Sequence, residues 1–179
     1  MTISHFLIVN TSDRELSTFG TAFLKEECQA LAELPGVERM DRYDLAEFDD
    51  PMTDDGLGPI LTIQTCYQDT ASLEKALKSE GFKNLHESIA TNRDMRISHD
   101  AMEMQFYPVA DEDEPGEWLA PLSYVVRYHH PTHELEAFID FYTSHHPQIE
   151  RRFPSIRSIM CYVPIEWKDP GDIECENYM

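Results

Sequence analysis

One pattern recurs in this chain at a fixed distance, and it constrains the fold more than any single motif does. Adding 119 to a residue number carries Leu16 to Leu135, Phe19 to Phe138, Phe23 to Tyr142, Leu34 to Phe153, Pro35 to Pro154, Val37 to Ile156 and Tyr43 to Tyr162. The correspondence needs no gap, and its members sit at helical spacing before the proline and at strand spacing after it. In both copies P-x-[VI]-x-x-x-x-x-Y closes a helix and opens a strand. Two copies of so large a unit do not make a solenoid. They predict a fused pair whose units bury a sheet face against each other.

The first copy reads in detail as follows. Residues 3–9 are β-branched and apolar and predict a strand. Ser12-Asp13-Arg14-Glu15 has the form of a capping box, which opens a helix carrying Leu16, Phe19, Phe23, Ala30 and Leu34. The Leu34-Pro35-Gly36 turn ends that helix. Strands are expected over Val37 to Leu45 and Ile60 to Tyr67, separated by an acidic loop with Pro51, Gly56, Gly58 and Pro59. Asp69 caps a short helix over Ser72 to Ser79, with Gly81 as its stop. From Phe82 to Asp94 no pattern stands out. Ala101 to Tyr107 alternates Met102, Met104 and Phe106 against Glu103, Gln105 and Tyr107, as a half-buried strand does. The order β-α-β-β-α-β is that of a ferredoxin-like unit.

After the acidic linker Asp111-Glu112-Asp113-Glu114-Pro115-Gly116-Glu117 the pattern restarts. Leu122 to His129 predicts a strand. A helix from about Thr132 presents Leu135, Phe138, Tyr142, Ile149 and Phe153, and Ile156 to Val163 is the next strand. The domain reading is therefore a first unit over 1–110, a linker over 111–120 and a second, incomplete unit over 121–179. Asp172 to Met179 supplies a third strand to unit two, but no second helix or fourth strand follows. Its sheet is completed by unit one, by a second copy of the chain in a homodimer, or by sequence beyond residue 179. The expected fold class is α+β, with the two units packing sheet to sheet as a barrel around a cavity.

Charge removes several functions. The chain carries 34 Asp plus Glu against 14 Lys plus Arg, a formal −20. Nucleic-acid binding draws its affinity from phosphate neutralisation, and binding to an anionic membrane surface needs the same cations, so neither is expected. No stretch approaches the ~20 apolar residues of a membrane-spanning helix. The N-terminus has no basic region ahead of its short apolar run, so no signal peptide is expected. Cys28, Cys66, Cys161 and Cys175 form no C-x-x-C pair. They read as free thiols, and the expected location is the cytoplasm. The G-x-S-x-G, P-loop and G-x-G-x-x-G patterns are missing, which leaves serine hydrolase, NTPase and Rossmann readings without support.

Histidine is the residue type with the most to offer chemically. His129, His130 and His133 stand at the second unit's strand-to-helix junction, and His145 and His146 at least twelve residues later. A continuous helix rising ~1.5 Å per residue holds those groups about 18 Å apart, so they do not share one metal. Adjacent strand residues such as His129 and His130 point to opposite faces. No metal ligand set is assigned. His145 and His146 are candidates for acid–base work, since imidazole titrates near neutral pH and Pro147 is expected to break the helix beside them. The competing reading makes them a cap on the helix C-terminus, where the dipole favours a cation. Arg127 and His129, on one strand face, and Gln105 are candidate ligand contacts in the barrel. So are Tyr142 and the repeat-related pair Tyr43 and Tyr162, although for that pair a core position with a satisfied hydroxyl is the default reading.

The run Phe138-x-x-Phe141-Tyr142-Thr143-Ser144-His145-His146-Pro147, followed by Phe153-Pro154-Ser155-Ile156, resembles the EthD-like domains of the dimeric α+β barrel superfamily. Unit one departs from that motif, with Glu26-Glu27-Cys28 where unit two has His145-His146-Pro147. The resemblance implies a barrel that binds a small apolar, aromatic or polyketide-like molecule. It also implies chemistry without a cofactor, of the isomerase, dehydratase or oxygenase kind, with His145 or His146 moving a proton. Two rivals are a non-catalytic binding or interaction module and a haem- or metal-dependent barrel.

Overall fold

The computed structural model describes residues 1–11, 27–46, 58–91, 95–109, 122–128 and 133–169. The capping box at Ser12, the linker 111–120, His129, His130, Cys175 and the expected strand over Asp172–Met179 lie outside the described residues.

Five strands form one antiparallel sheet: β1 (Thr2–Thr11), β2 (Arg39–Asp44), β3 (Leu61–Tyr67), β4 (Met95–Tyr107) and β5 (Ile159–Pro164), in the order β2-β3-β1-β4-β5. The N-terminal strand is thus central, paired with β3 on one side and β4 on the other. Its alternation decides which face is covered. Ile3, Leu7 and Val9, with Leu61, Ile63 and Tyr67 of β3, turn to the helices and are buried. The helices are α1 (its described part 27–32), α2 (Thr70–Leu77), α3 (Glu80–Ala90) and α4 (Leu135–Glu150). Cys28 and Leu31 of α1, Leu73, Ala76 and Leu77 of α2, and Phe82 and Leu85 of α3 close this core. The class is α+β, as the pattern predicts.

Local chemistry accounts for the ends of these elements. Past α1, Gly36 takes a φ of 85°, and the Val37 N–H returns to the Leu34 carbonyl at 3.2 Å. Asp69 accepts the Ser72 N–H at 2.8 Å and caps α2. Gly81 does not stop that helix. α2 ends at Leu77, and Ser79 starts α3 by accepting the Phe82 N–H at 3.3 Å. Gly81 lies inside α3, where a Cβ would come within 3.1 Å of Leu34 Cδ2, so the glycine serves a close approach. β4 begins six residues before the expected Ala101, because Arg96, Ser98, His99 and Asp100 disguise its alternation.

The second half differs from expectation in three respects. First, β5 pairs with β4, Met104 opposite Tyr162, and so extends the existing sheet. Among the described residues no second sheet faces the first. Second, residues 122–128 form no strand, and Tyr124 is 79% exposed. The alternation there is strand-like, but a strand exists only in a pair, and 122–128 pairs with no described strand. Third, α4 runs unbroken through Pro147. The proline sits in the last turn and forfeits one hydrogen bond, and the Arg151 N–H still closes onto the Pro147 carbonyl at 3.1 Å. Beyond α4, Ser155 has a φ of 66°, and it stands 119 residues after Gly36 in the same P-x-[VI] turn.

Candidate functional site

The sheet face turned away from the helices carries the even-numbered residues of β1 with their cross-strand partners. Ser4 stands opposite Cys66, Phe6 opposite Gln64, and Asp41 of β2 also opposite Gln64. From β4 and β5 come Met102 and Tyr162, which pack with Phe6 and Ile8 in a small apolar cluster. The Phe6 and Tyr162 rings meet edge to face at 4.9 Å.

At its centre stands Gln64, 1% exposed. A buried carboxamide must find partners, and Gln64 finds them on three other strands. Its Oε1 accepts from the Tyr43 hydroxyl of β2 at 2.8 Å. Its Nε2 donates to Ser4 Oγ of β1 at 2.9 Å and to the Tyr162 hydroxyl of β5 at 3.2 Å. Tyr162 accepts at that contact, so among the described residues its own proton has longer outlets, Gln64 Oε1 at 3.4 Å and Met160 Sδ at 3.6 Å. At the rim Arg39 and Asp41 form an ion pair at 2.7 Å. Burial pushes the Tyr43 hydroxyl up to about 12, with Asp41 adding to the shift and Arg39 opposing it. Burial likewise raises Tyr162, reinforced by Tyr43 and opposed by the Gln64 bond. Both phenols are neutral near pH 7. They suit hydrogen-bond donation, not proton abstraction.

The other candidates read from the sequence separate into distinct places. Gln105 lies on the helix side of β4 and accepts from the Tyr107 hydroxyl at 2.8 Å. Tyr142 of α4 also lies there, beside Cys161, and burial raises the titration of both, Cys161 to about 11. Tyr142 stacks on Phe138 and meets Tyr128 edge to face. His145 is exposed, stacked on Phe141 at 4.7 Å, with Nδ1 2.7 Å from Ser144 Oγ. His146 reaches Glu150 at 3.0 Å, one turn further along α4. Arg127 is half-buried within 122–128. Tyr43 and Tyr162 are therefore brought together, whereas the histidines stay with neighbours on their own helix. Among the described residues, no group of three or more His, Cys, Asp or Glu side chains stands close enough to hold a metal ion. No helix there is long and apolar enough to cross a membrane.

Gln64 itself escaped the sequence reading. The signal was present: a long amide between Ile63 and Thr65 in an otherwise strand-forming run marks a polar position on one face. His5, set between Ser4 and Phe6 in β1, is a second such case.

A two-layer α+β molecule with its helices on one side and a polar centre on the other is the class these observations define. Solved structures similar to the chain include an ethyl tert-butyl ether D (EthD) family protein from Bacillus halodurans, at 14% identity and a TM-score of 0.43, covering 55% of this chain and 96% of that one. Another is SnoaB, a cofactor-independent oxygenase from Streptomyces nogalater, at 15% identity and a TM-score of 0.40, covering 57% and 91%. A third is a Dabb family protein with a ferredoxin-like fold from Mesorhizobium loti, at 12% and 0.41, covering 55% and 93%. No family model and no curated protein matches the chain.

Proposed function

We propose that this protein binds a small, uncharged, partly aromatic molecule against the sheet face that bears Gln64. What supports the reading is the convergence of Tyr43 and Tyr162, the repeat-related pair, on one buried carboxamide. The reading treats the chain as two units, 1–110 and 121–179, each lending one tyrosine to a shared site. Phe6, Ile8 and Met102 offer the apolar floor, and Tyr162 offers its proton to a carbonyl or hydroxyl oxygen of the ligand. A formal charge of −20 repels anions, which disfavours an anionic ligand. Acid–base catalysis by His145 or His146 is the finer form of the reading carried by the sequence motif. Those side chains lie on α4, at the helix side of β5, so the geometry supports binding at Gln64 better than chemistry at the histidines.

The test is a fluorescence titration of the whole chain with 1-naphthol, a neutral hydroxyaromatic. Saturable binding is expected, with Kd rising about tenfold in Tyr162→Phe and in Phe6→Ala, the loss of ~1.4 kcal/mol each. Lys83→Ala, on the exposed side of α3, leaves Kd unchanged. Absence of saturable binding, or equal Kd in all four proteins, refutes the proposal.

A further inference from the structure

On the helix side of the sheet, directly within the core, two imidazoles face each other across β1 and β4. His5 is 2% exposed and His99 is fully buried, with His5 Nε2 3.1 Å from His99 Nδ1. Thr65 Oγ1 of β3 lies 3.5 Å from His5 Nδ1, and Asp169 Oδ2 lies 3.3 Å from His99 Nε2, near enough for an ion pair though off-line for a hydrogen bond. The carboxylate only accepts, so this chain runs one way while both rings are neutral. Thr65 donates to His5 Nδ1, His5 Nε2–H to His99 Nδ1, and His99 Nε2 carries its proton towards Asp169. Each ring nitrogen of this row thus faces a polar atom, His99 Nε2 without a well-aligned hydrogen bond. A further proton therefore puts a charge into an apolar surround and reverses at least one of the bonds.

The surround comes largely from the segment that follows β5. Ile165 N–H reaches the Ala101 carbonyl at 3.5 Å, and Ile165 and Trp167 pack on the core. The Trp167 ring meets His99 at 4.8 Å and His5 at 6.2 Å, both edge to face. Lys168 N–H reaches Glu74 of α2 at 3.3 Å, and then comes Asp169. From α3, Phe82 covers His5, and His86 acts on His99 through its charge when protonated. Residues 165–169 thus lie over the histidine pair.

We propose that the segment from Ile165 to Asp169 is a pH-sensitive latch, closed over His5 and His99 while both are neutral and released when the pair takes up protons. The direction follows from linkage. Burial, and for His5 also the neighbouring His99, holds the pair below the ordinary histidine value of 6.5; Asp169 offsets this only in part at His99. A closed state that binds protons less readily than an open one is fully favoured above pH 6.5 and loses that advantage as pH falls below it. The latch stands independently of any ligand at Gln64.

Trp118 and Trp167 are the two tryptophans of the chain, so Trp118→Phe makes Trp167 the sole reporter. Its emission and acrylamide quenching are followed from pH 8 to pH 5 in the full chain, with far-UV circular dichroism alongside. The expected result is a shielded Trp167 at pH 8 and a several-fold rise in quenching below pH 6.5, with the sheet signal unchanged. In His5→Gln/His99→Gln the rise disappears. Hydrogen exchange of the unsubstituted chain, corrected for intrinsic rate, gives a second readout if either variant fails to fold: residues 165–169 lose protection below pH 6.5 while β1 and β3 keep theirs. A Trp167 signal flat across the range, a rise that persists without the histidines, or a loss of protection that coincides with loss of the whole sheet overturns the proposal.

Discussion

Gln64 shows how much one polar side chain can organise when its partners lie far away in the sequence. Its amide joins Ser4, 60 residues upstream, to Tyr162, 98 residues downstream. Replacing it with leucine keeps the volume but leaves the buried Ser4 hydroxyl with only the long Cys66 Sγ contact at 3.8 Å and takes a partner from both tyrosines. An orphaned buried polar group costs about 1–3 kcal/mol, so Gln64→Leu is expected to destabilise by roughly 2–4 kcal/mol, read from urea denaturation. Tyr43→Phe removes one half-buried donor and is expected to cost ~1 kcal/mol. Equal effects from the two substitutions would mean that Gln64 is not the hub. The two tyrosines were legible from the sequence as a related pair, because periodicity and repetition are local properties. Their meeting point was not, since it depends on β1, β3 and β4 lying between β2 and β5 in the sheet.

At the scale of elements, the turn after each repeated helix makes the same backbone demand and meets it with different residues. Gly36 adopts a left-handed conformation without a side chain to resist it, whereas Ser155 adopts one with a side chain. That conformation costs an ordinary residue about 1–2 kcal/mol, against ~0.5–1 kcal/mol for the extra freedom a glycine loses on folding. Ser155→Gly should therefore stabilise the protein by about 0.5–1 kcal/mol, and Gly36→Ala should destabilise it by ~1 kcal/mol. Thermal melting with both variants checks the sign. A destabilising Ser155→Gly would show that the serine contributes something the turn geometry does not. Elements whose signals are local, such as β1, β3 and the Asp69 cap, could be read from the chain directly. α3 could not, because its glycine serves a contact with Leu34 that only the packed molecule contains. The strand expected at 122–128 failed for the converse reason: its pattern is sound, but pairing is a property of two segments.

At the scale of the molecule, 34 acids against 14 bases leave an excess of 20 acids that ion pairs such as Arg39–Asp41 and Arg42–Asp44 do not offset. Compaction concentrates that charge, so screening should favour the folded chain. Raising NaCl from about 0.05 M to about 1 M, where the screening length falls to ~3 Å, is expected to raise Tm by several degrees. A Tm that falls instead would show that specific ion pairs outweigh the net charge.

The central place of β1 has a consequence for how the chain is made. It leaves the ribosome before either neighbour, and both come late: His5 meets His99 only after 94 further residues have been added. Until β3 arrives an apolar strand waits with two open edges, and until β4 arrives with one, which is the condition under which nascent chains stick to one another. The pairing it awaits closes long loops, and such sheets assemble slowly. The acid surplus acts during that delay, because each unfinished chain repels its neighbours on the polysome.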